Sequence, residues 1–310
     1  QPGVSFYQFS VAAPDEAPTP AGAPAPERTA EATLANNTRV LAVDLGQGPF
    51  RVLYISGRPN WEYKFLNRAV QGDDQVQLVG LIRVAKREPK FDFRGREGET
   101  SNPLFRGFGS QASDEVQRYD QPVLVRLNTR DELELRAGFP RTPEELYGYH
   151  AVILDDLEAE FFTRDQAVLL QKFVTERGGG LLMLGGMESF HEGRYLRTPI
   201  GDMLPVYLDL DEGGAAPPGK VNFQLTREGW LQPWARLRDN EGDERARLDA
   251  MPPFEVLNRV RALKPGASVI ASVRDDKGSE LPALAVQRFG RGRTGALMVV
   301  EALQLHRAFV

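Results

Sequence analysis

The sequence predicts a three-layer α/β domain on a mostly parallel sheet, preceded by a short β segment. Three observations carry this. Hydrophobic residues make up 41% of the 310 positions and charged residues 26%, enough apolar surface for a real core. From residue 50 onward, short apolar runs alternate with segments of helical period. The most regular stretch runs strand 151–154, helix 163–176, the triplet Gly178-Gly179-Gly180 and strand 181–184, the order of a right-handed crossover between parallel strands.

Taken in order, residues 4–11 place Val4, Phe6, Phe9 and Val11 in a strand-like alternation. Residues 12–30 are rich in Ala, Pro and Glu without periodicity and read as a loop. Asn36-Asn37 marks a turn before a second strand that reaches Asp44. Two strands cannot form an independent sheet. Residues 1–48 are therefore expected to be either the last strands of an upstream β-sandwich plus a linker or a pair docked on the following domain, with the α/β domain spanning 49–310.

That domain opens with a buried strand at 51–57, closed by Gly57. A helix at 60–70 follows, with Trp61, Phe65, Leu66 and Ala69 at core spacing. After strand 76–84 comes a polar, Gly-rich excursion at about 86–120 with scattered Phe91, Phe93, Phe105 and Phe108. It is too long for an ordinary connection and reads as an insertion. Thr142-Pro143-Glu144-Glu145 has the capping residue, first-turn proline and acids of a helix start. Strand 151–154 ends at Asp155-Asp156, and helix 163–176 turns Ala167, Leu170 and Val174 inward. Strand 181–184 ends in the sharp Gly185-Gly186 turn. Strands are then expected at 206–210 and 221–225, a helix at about 253–260, and strands at 268–273, 281–288 and 294–300. Gly290-Arg291-Gly292-Arg293 forms a hairpin turn between the last two.

Composition also excludes whole classes of function. Lys plus Arg is 38 against 43 for Asp plus Glu, a net charge of −5 that argues against a duplex-wide nucleic-acid surface. Trp61, Trp230 and Trp234 are spaced for packing, not as a base-stacking platform. Cysteine is absent, which removes disulfides, thiolate metal sites and every cysteine nucleophile. Histidine occurs three times, as His150, His191 and His306. No apolar run approaches the roughly 20 residues of a membrane helix, so no membrane insertion is expected. The first residues, Gln1-Pro2-Gly3, resemble neither a translation start nor a signal peptide, and the chain reads as a fragment of a longer protein.

Three motifs together carry a resemblance. They are Gly138-Phe139-Pro140-x-Thr142-x-Glu144-Glu145-Leu146, Tyr149-His150-Ala151-Val152-Ile153-Leu154, and Arg177-Gly178-Gly179-Gly180 running through Leu184-Gly185-Gly186. The stretch from Arg51 to Leu66 and the tail from Gln287 to Arg293 fit as well. The chain resembles the glutamine amidotransferase-like family, a branch of the class I glutamine amidotransferase fold, over most of 50–305. The resemblance implies a flavodoxin-like sheet and a parent protein anchored in the membrane, with a von Willebrand factor A-like domain upstream. The implied partners are upstream domains of the same polypeptide and other cell-envelope proteins. An extracytoplasmic position is favoured slightly.

Class I amidotransferases hydrolyse glutamine with a cysteine on a strand-to-helix elbow, beside backbone N–H donors that hold the oxyanion. The elbow should fall at Leu184-Gly185-Gly186-Met187-Glu188, where there is no cysteine. The strand on the oxyanion side ends Leu154-Asp155-Asp156, where the fold ordinarily carries a glycine pair. The expectation is a non-catalytic interaction or ligand-binding module, with no cofactor and no metal. Its candidate ligand-binding residues are Gly57, Arg58, Asp155, Asp156, Gly185, Gly186 and Glu188. Gly185-Gly186 offers N–H groups to an anion, although a tight turn is their ordinary role. Paired Asp155-Asp156, with Glu188 and Asp202 near the same edge, has the chemistry for a divalent cation, but adjacent aspartates more often split between capping and solvent. The alternative is a hydrolase using Ser189, His191 and Asp155. Against it, Ser189 reads as a helix cap and His191 as a surface residue. His306 follows Glu301, the reverse of the fold's usual order.

Overall fold

The computed structural model describes residues 3–10, 38–45, 49–86, 123–210, 220–274 and 278–300. Contacts divide the chain into two units, Gln1–Pro49 and Phe50–Val310. In the first, β1 (Gly3–Ser10) and β2 (Thr38–Leu45) pair antiparallel, from Gly3 opposite Leu45 to Ser10 opposite Thr38. Asn36-Asn37 lies outside the described residues.

The second unit opens with β3 (Phe50–Ser56), α1 (Trp61–Val70), β4 (Val76–Ala85) and β5 (Val123–Leu127). Next come α2 (Pro143–Leu146), β6 (Ala151–Asp155), α3 (Arg164–Lys172) and β7 (Gly180–Leu184). Then follow α4 (Pro199–Met203), β8 (Val206–Tyr207), β9 (Asn222–Leu225), α5 (Arg227–Trp230) and α6 (Glu241–Asp249). The remaining strands are β10 (Val256–Leu257), β11 (Ala262–Leu263), β12 (Ser268–Arg274), β13 (Glu280–Phe289), β14 (Gly292–Leu297) and β15 (Val299–Val300).

Nine strands form one sheet in the order β5-β4-β3-β6-β7-β14-β13-β12-β9. Its centre, β4-β3-β6-β7-β14, is parallel, and the outer pairs are antiparallel. From β3 the chain winds outward to β4 on one side and to β6 and β7 on the other. The order therefore reverses between β3 and β6, the place where open α/β sheets leave a crevice at the strands' C-terminal ends.

Alternation within the strands sorts the core into two layers. Leu53 and Ile55 of β3 join Val152, Leu154, Leu181 and Met183 against Ala167 and Leu170 of α3 and Val174 just beyond its end. Each such side chain contributes roughly 1.5–3 kcal/mol of burial. Tyr54 of β3, with Leu78 and Ile82 of β4, faces the opposite side and meets Tyr63, Leu66 and Val70 of α1. Thr163 caps α3 through a reciprocal pair with Gln166, and a π-helical turn, Phe173–Arg177, extends the helix to left-handed Gly178.

Several expectations need correction. The inward face of α1 is Tyr63, Leu66 and Val70; Ala69 is exposed, while Trp61 and Phe65 pack on each other at 6.3 Å between ring centres. The expected helix at about 253–260 is absent. Pro252-Pro253 cannot sustain a helical hydrogen-bond ladder, and Val256 and Leu257 pair instead with Val300 and Val299. The helix in this region is α6, capped by Asn240 and carrying Glu241, Asp243 and Glu244 in its first turn. The strand expected at 206–210 shortens to β8, and the one at 294–300 divides at Met298, whose N–H bonds Ala283 O at 2.8 Å. Trp234 is exposed, not packed into a core. The insertion at about 86–120 lies, after Lys86, outside the described residues.

Candidate functional site

The crevice between β3 and β6 is filled by the chain's own side chains. Asp155, the last residue of β6, is 3% exposed. Its Oδ2 accepts hydrogen bonds from the Tyr54 hydroxyl and Asn60 Nδ2, and Asn60 Nδ2 also donates to Ser56 Oγ at 3.0 Å. Burial pushes the Asp155 carboxyl up to about 7, reinforced by the neighbouring Glu62 and Asp156 charges and only partly offset by its two donors. Burial, together with Asp155, also pushes the Tyr54 hydroxyl far above its usual range. Asn60 additionally caps α1, accepting from Tyr63 N at 3.2 Å, so the carboxyl is tied to a helix start.

Asp156 turns the other way. It takes a left-handed backbone, φ 44°, which Asp tolerates better than most residues. Its Oδ1 accepts Glu188 N at 2.7 Å, and its Oδ2 is ion-paired with Arg58 Nε. Gly57 and Gly186 make this possible. A methyl on Gly57 would collide with the Asp156 carbonyl oxygen, and one on Gly186 with the Asp156 carboxylate. The Gly57 N–H is spent on Asp155 O at 3.0 Å.

Gly186 is held from a third direction. Its N–H donates to Asn258 Oδ1 at 2.9 Å, and its carbonyl accepts from Asn258 Nδ2 at 2.9 Å. Asn258 Nδ2 also reaches Glu192 Oε2 at 3.2 Å. The buried Asn258 thus mimics a strand neighbour for the turn after β7. Nothing local in the sequence signals this partnership, which spans 72 residues.

Those contacts decide what the edge can do. The amides of Gly57, Gly186 and Glu188 are the kind of donor that could cradle an anion or an oxyanion, and each is already paired within the chain. The turn after β7 is not an elbow either. Residues 187–194 form consecutive turns, and the next helix, α4, begins only at Pro199.

The candidate triad is dispersed by its own bonds. Ser189 is buried and caps no helix, correcting the expected N-cap; its N–H meets Gly186 O at 3.4 Å and its carbonyl accepts from Gly193 N at 3.0 Å. His191 is exposed, and its Nδ1 donates to Leu208 O at 2.9 Å. Asp155 faces Tyr54 and Asn60. His150 serves the fold, its Nδ1 accepting from Arg51 N at 3.0 Å. Glu301 and His306 lie outside the described residues. Asp202 sits on α4, whose Met203 carbonyl accepts from Thr294 Oγ1 near the start of β14, away from the C-terminal edge. Among the described residues, no group of three or more His, Asp or Glu is placed to hold a metal ion.

Beside the crevice lies a feature that the motifs do not reveal. Arg83, near the end of β4, is buried with its Nε donating to Gly57 O at 3.0 Å. Its guanidinium grips Glu158 through two bonds of 2.5 and 2.6 Å and reaches Glu188 at 3.4 Å, while Lys86 pairs with Glu188 from outside. Burial opposes the Glu158 charge, but this bidentate pairing outweighs it and draws the carboxyl down to about 2. Arg83 and Glu158 line a cleft of about 1140 Å³ at the C-terminal edge of the sheet.

Residues 126–303 match the model of a family described as "Putative glutamine amidotransferase", more than half of the chain. The chain belongs to that family. As a family member it has the expected architecture, a large mixed sheet with a parallel centre and helices on both faces. No curated protein matches the chain. Among solved structures, a β-galactosidase from Rahnella sp. R3 is 17% identical at a TM-score of 0.30, over 53% of this chain and 22% of that one. One from Bacillus circulans sp. alkalophilus is 13% identical at 0.31, over the same shares. A GH42 β-galactosidase from G. stearothermophilus is 14% identical at 0.34, over 86% of this chain and 30% of that one. The chain spans less than a third of the length of these enzymes, and likeness at this level carries no chemistry across.

Proposed function

We propose that this amidotransferase-like domain is a non-catalytic ligand-binding or interaction module of a larger, membrane-anchored cell-envelope protein. The observation that carries the reading is at the expected elbow. The chain has no cysteine to attack a carboxamide, and the Gly186 and Glu188 amides that would stabilise an oxyanion are capped by Asn258 and Asp156. A site that has lost both its nucleophile and its free donors retains the fold's architecture without the means of acyl transfer. The same contacts weigh against a Ser189–His191–Asp155 hydrolase, because Asp155 Oδ2 is bonded to Tyr54 and Asn60 and His191 Nδ1 to the Leu208 carbonyl. Gly57, Arg58, Asp155, Asp156, Gly185, Gly186 and Glu188 then act in shaping the edge. Residues 1–48 belong, in this reading, to a neighbouring β-rich unit of the parent chain, which tethers the domain. No helix among the described residues is long and apolar enough to cross a membrane, so the anchor in this reading lies outside them. The test is glutamate release from glutamine by the purified chain. No turnover above buffer is expected, and clear turnover overturns the reading.

A further inference from the structure

The cleft beside the crevice has a wall whose charge the fold does not use. Arg126, Arg136 and Arg141 all line it and are exposed. Among the described residues none of the three is ion-paired with a carboxylate; Arg126 donates only to the Glu132 and Glu134 carbonyls, at 2.7 and 3.0 Å. The aromatic rings of Phe161 and Phe162 line the same cleft. The remaining cations of the cleft differ, for Arg83, Lys86 and Arg194 each have an acidic partner. Three guanidinium groups without acidic partners, in a cleft that also presents aromatic surface, favour carboxylates attached to an apolar frame.

Two further features narrow the ligand. At about 1140 Å³, the cleft exceeds the roughly 300–1,000 Å³ of ordinary small-molecule pockets. Moreover, Arg126 belongs to β5, the edge strand of the nine-stranded sheet, which has β4 on one side and no strand among the described residues on the other. Leu124 and Arg126, two residues apart and so on one face, both line the cleft. A peptide added alongside β5 would send alternate side chains onto that face.

We propose that the cleft binds an extended acidic peptide segment, which pairs with the β5 edge that has no strand beside it among the described residues and sets its carboxylates against Arg126, Arg136 and Arg141. The proposal rests on the reading of the domain as a binding module and specifies its partner. Backbone pairing supplies register, and the guanidinium wall selects for acidic over basic sequence.

The probe is a fluorescein-labelled peptide of alternating Glu and Val, titrated with the intact chain and followed by anisotropy. Saturable binding is expected, absent for the Lys–Val counterpart and weakened about tenfold or more in R136E/R141E. Thermal unfolding of the variant should match that of the parent, since both side chains are exposed. A backbone N-methylated Glu–Val peptide should also lose affinity. The proposal is overturned by absence of saturable binding, by equal binding to the folded double variant, or by equal affinity of the N-methylated peptide. Displacement by inorganic phosphate as effective as by unlabelled peptide also overturns it, because the cleft would then be a small-anion site. Glutamate release would sink the non-catalytic reading while leaving the peptide titration to stand or fall by itself.

Discussion

Two regions at the same end of the sheet treat polar groups in opposite ways. At the crevice between β3 and β6, Asp155 accepts from Tyr54 and Asn60, Asp156 from the Glu188 amide, and Asn258 pairs with the Gly186 backbone. A few residues away, Arg126, Arg136 and Arg141 stand on the cleft wall without acidic partners among the described residues. The difference teaches how burial sets the need for a partner. Buried polar groups must be paired, and at this strand edge the chain's own side chains and backbone supply the partners. Exposed guanidinium groups are solvated and can wait for a partner at little cost.

The comparison can be broken most forcefully at Gly57. Replacing it with Ala drives a methyl into the Asp156 carbonyl, and about 3 kcal/mol of stability should be lost in urea denaturation. A near-neutral result would mean that the crevice is looser than its contacts imply. Asn258→Ala comes next. It leaves the Gly186 N–H without its partner and the Gly186 C=O with only the long 3.4 Å bond from Ser189 N, and a loss of about 2 kcal/mol at unchanged m value is expected.

A gentler lever is pH. The Asp155 carboxyl is held at about 7 in the folded state against 3.8 ordinarily, so the folded chain retains a proton that the unfolded chain releases. The stability attached to that proton is complete below about 3.8 and is lost as pH rises through about 7. Asp155→Asn, which keeps an oxygen for Tyr54 and Asn60, should flatten the decline by at most about 1.4 kcal/mol per pH unit, read as melting temperature against pH. Glu158 acts oppositely. Its contribution is present above 4.5 and is lost as pH falls toward about 2, so the Asp155 slope is best read above pH 5.

Smaller effects sharpen the contrast. Met187→Cys places a thiol on the exposed turn where an elbow was expected, yet glutamate release should remain at background because the flanking amides stay occupied. Activity in that variant would show that a nucleophile was the one missing part. On the open side, R136E/R141E should change stability by no more than about 0.5 kcal/mol, in keeping with exposed residues that hold nothing together. A large loss would place those arginines among the structural ones.

Much of the fold was legible in particular residues. The Thr163 cap, the inward row Ala167, Leu170 and Val174, and the glycine triplet before β7 are local signals, and they fall where expected. Where reading failed, the cause was tertiary. Val256 and Leu257 look apolar enough for a helix after Pro253, but a partner strand more than 40 residues away claims them. Trp61 and Phe65 look like core residues, whereas Tyr63 takes that place because Gly80 on β4 leaves space for its ring.

For the site, the sequence by itself determined one chemical fact: without cysteine, no thiolate can form an acyl intermediate. It also placed Asp155, Asp156, Gly185 and Gly186 at strand ends, because periodicity locates where apolar runs stop. Only the tertiary structure decided that Asp156 reaches Glu188 N and that Asn258 reaches Gly186, across 32 and 72 residues. Side-chain bonds between distant segments follow no period and leave no local mark. The same holds for Arg126, Arg136 and Arg141, which become a wall only when β5 and the loop after it close on one cleft.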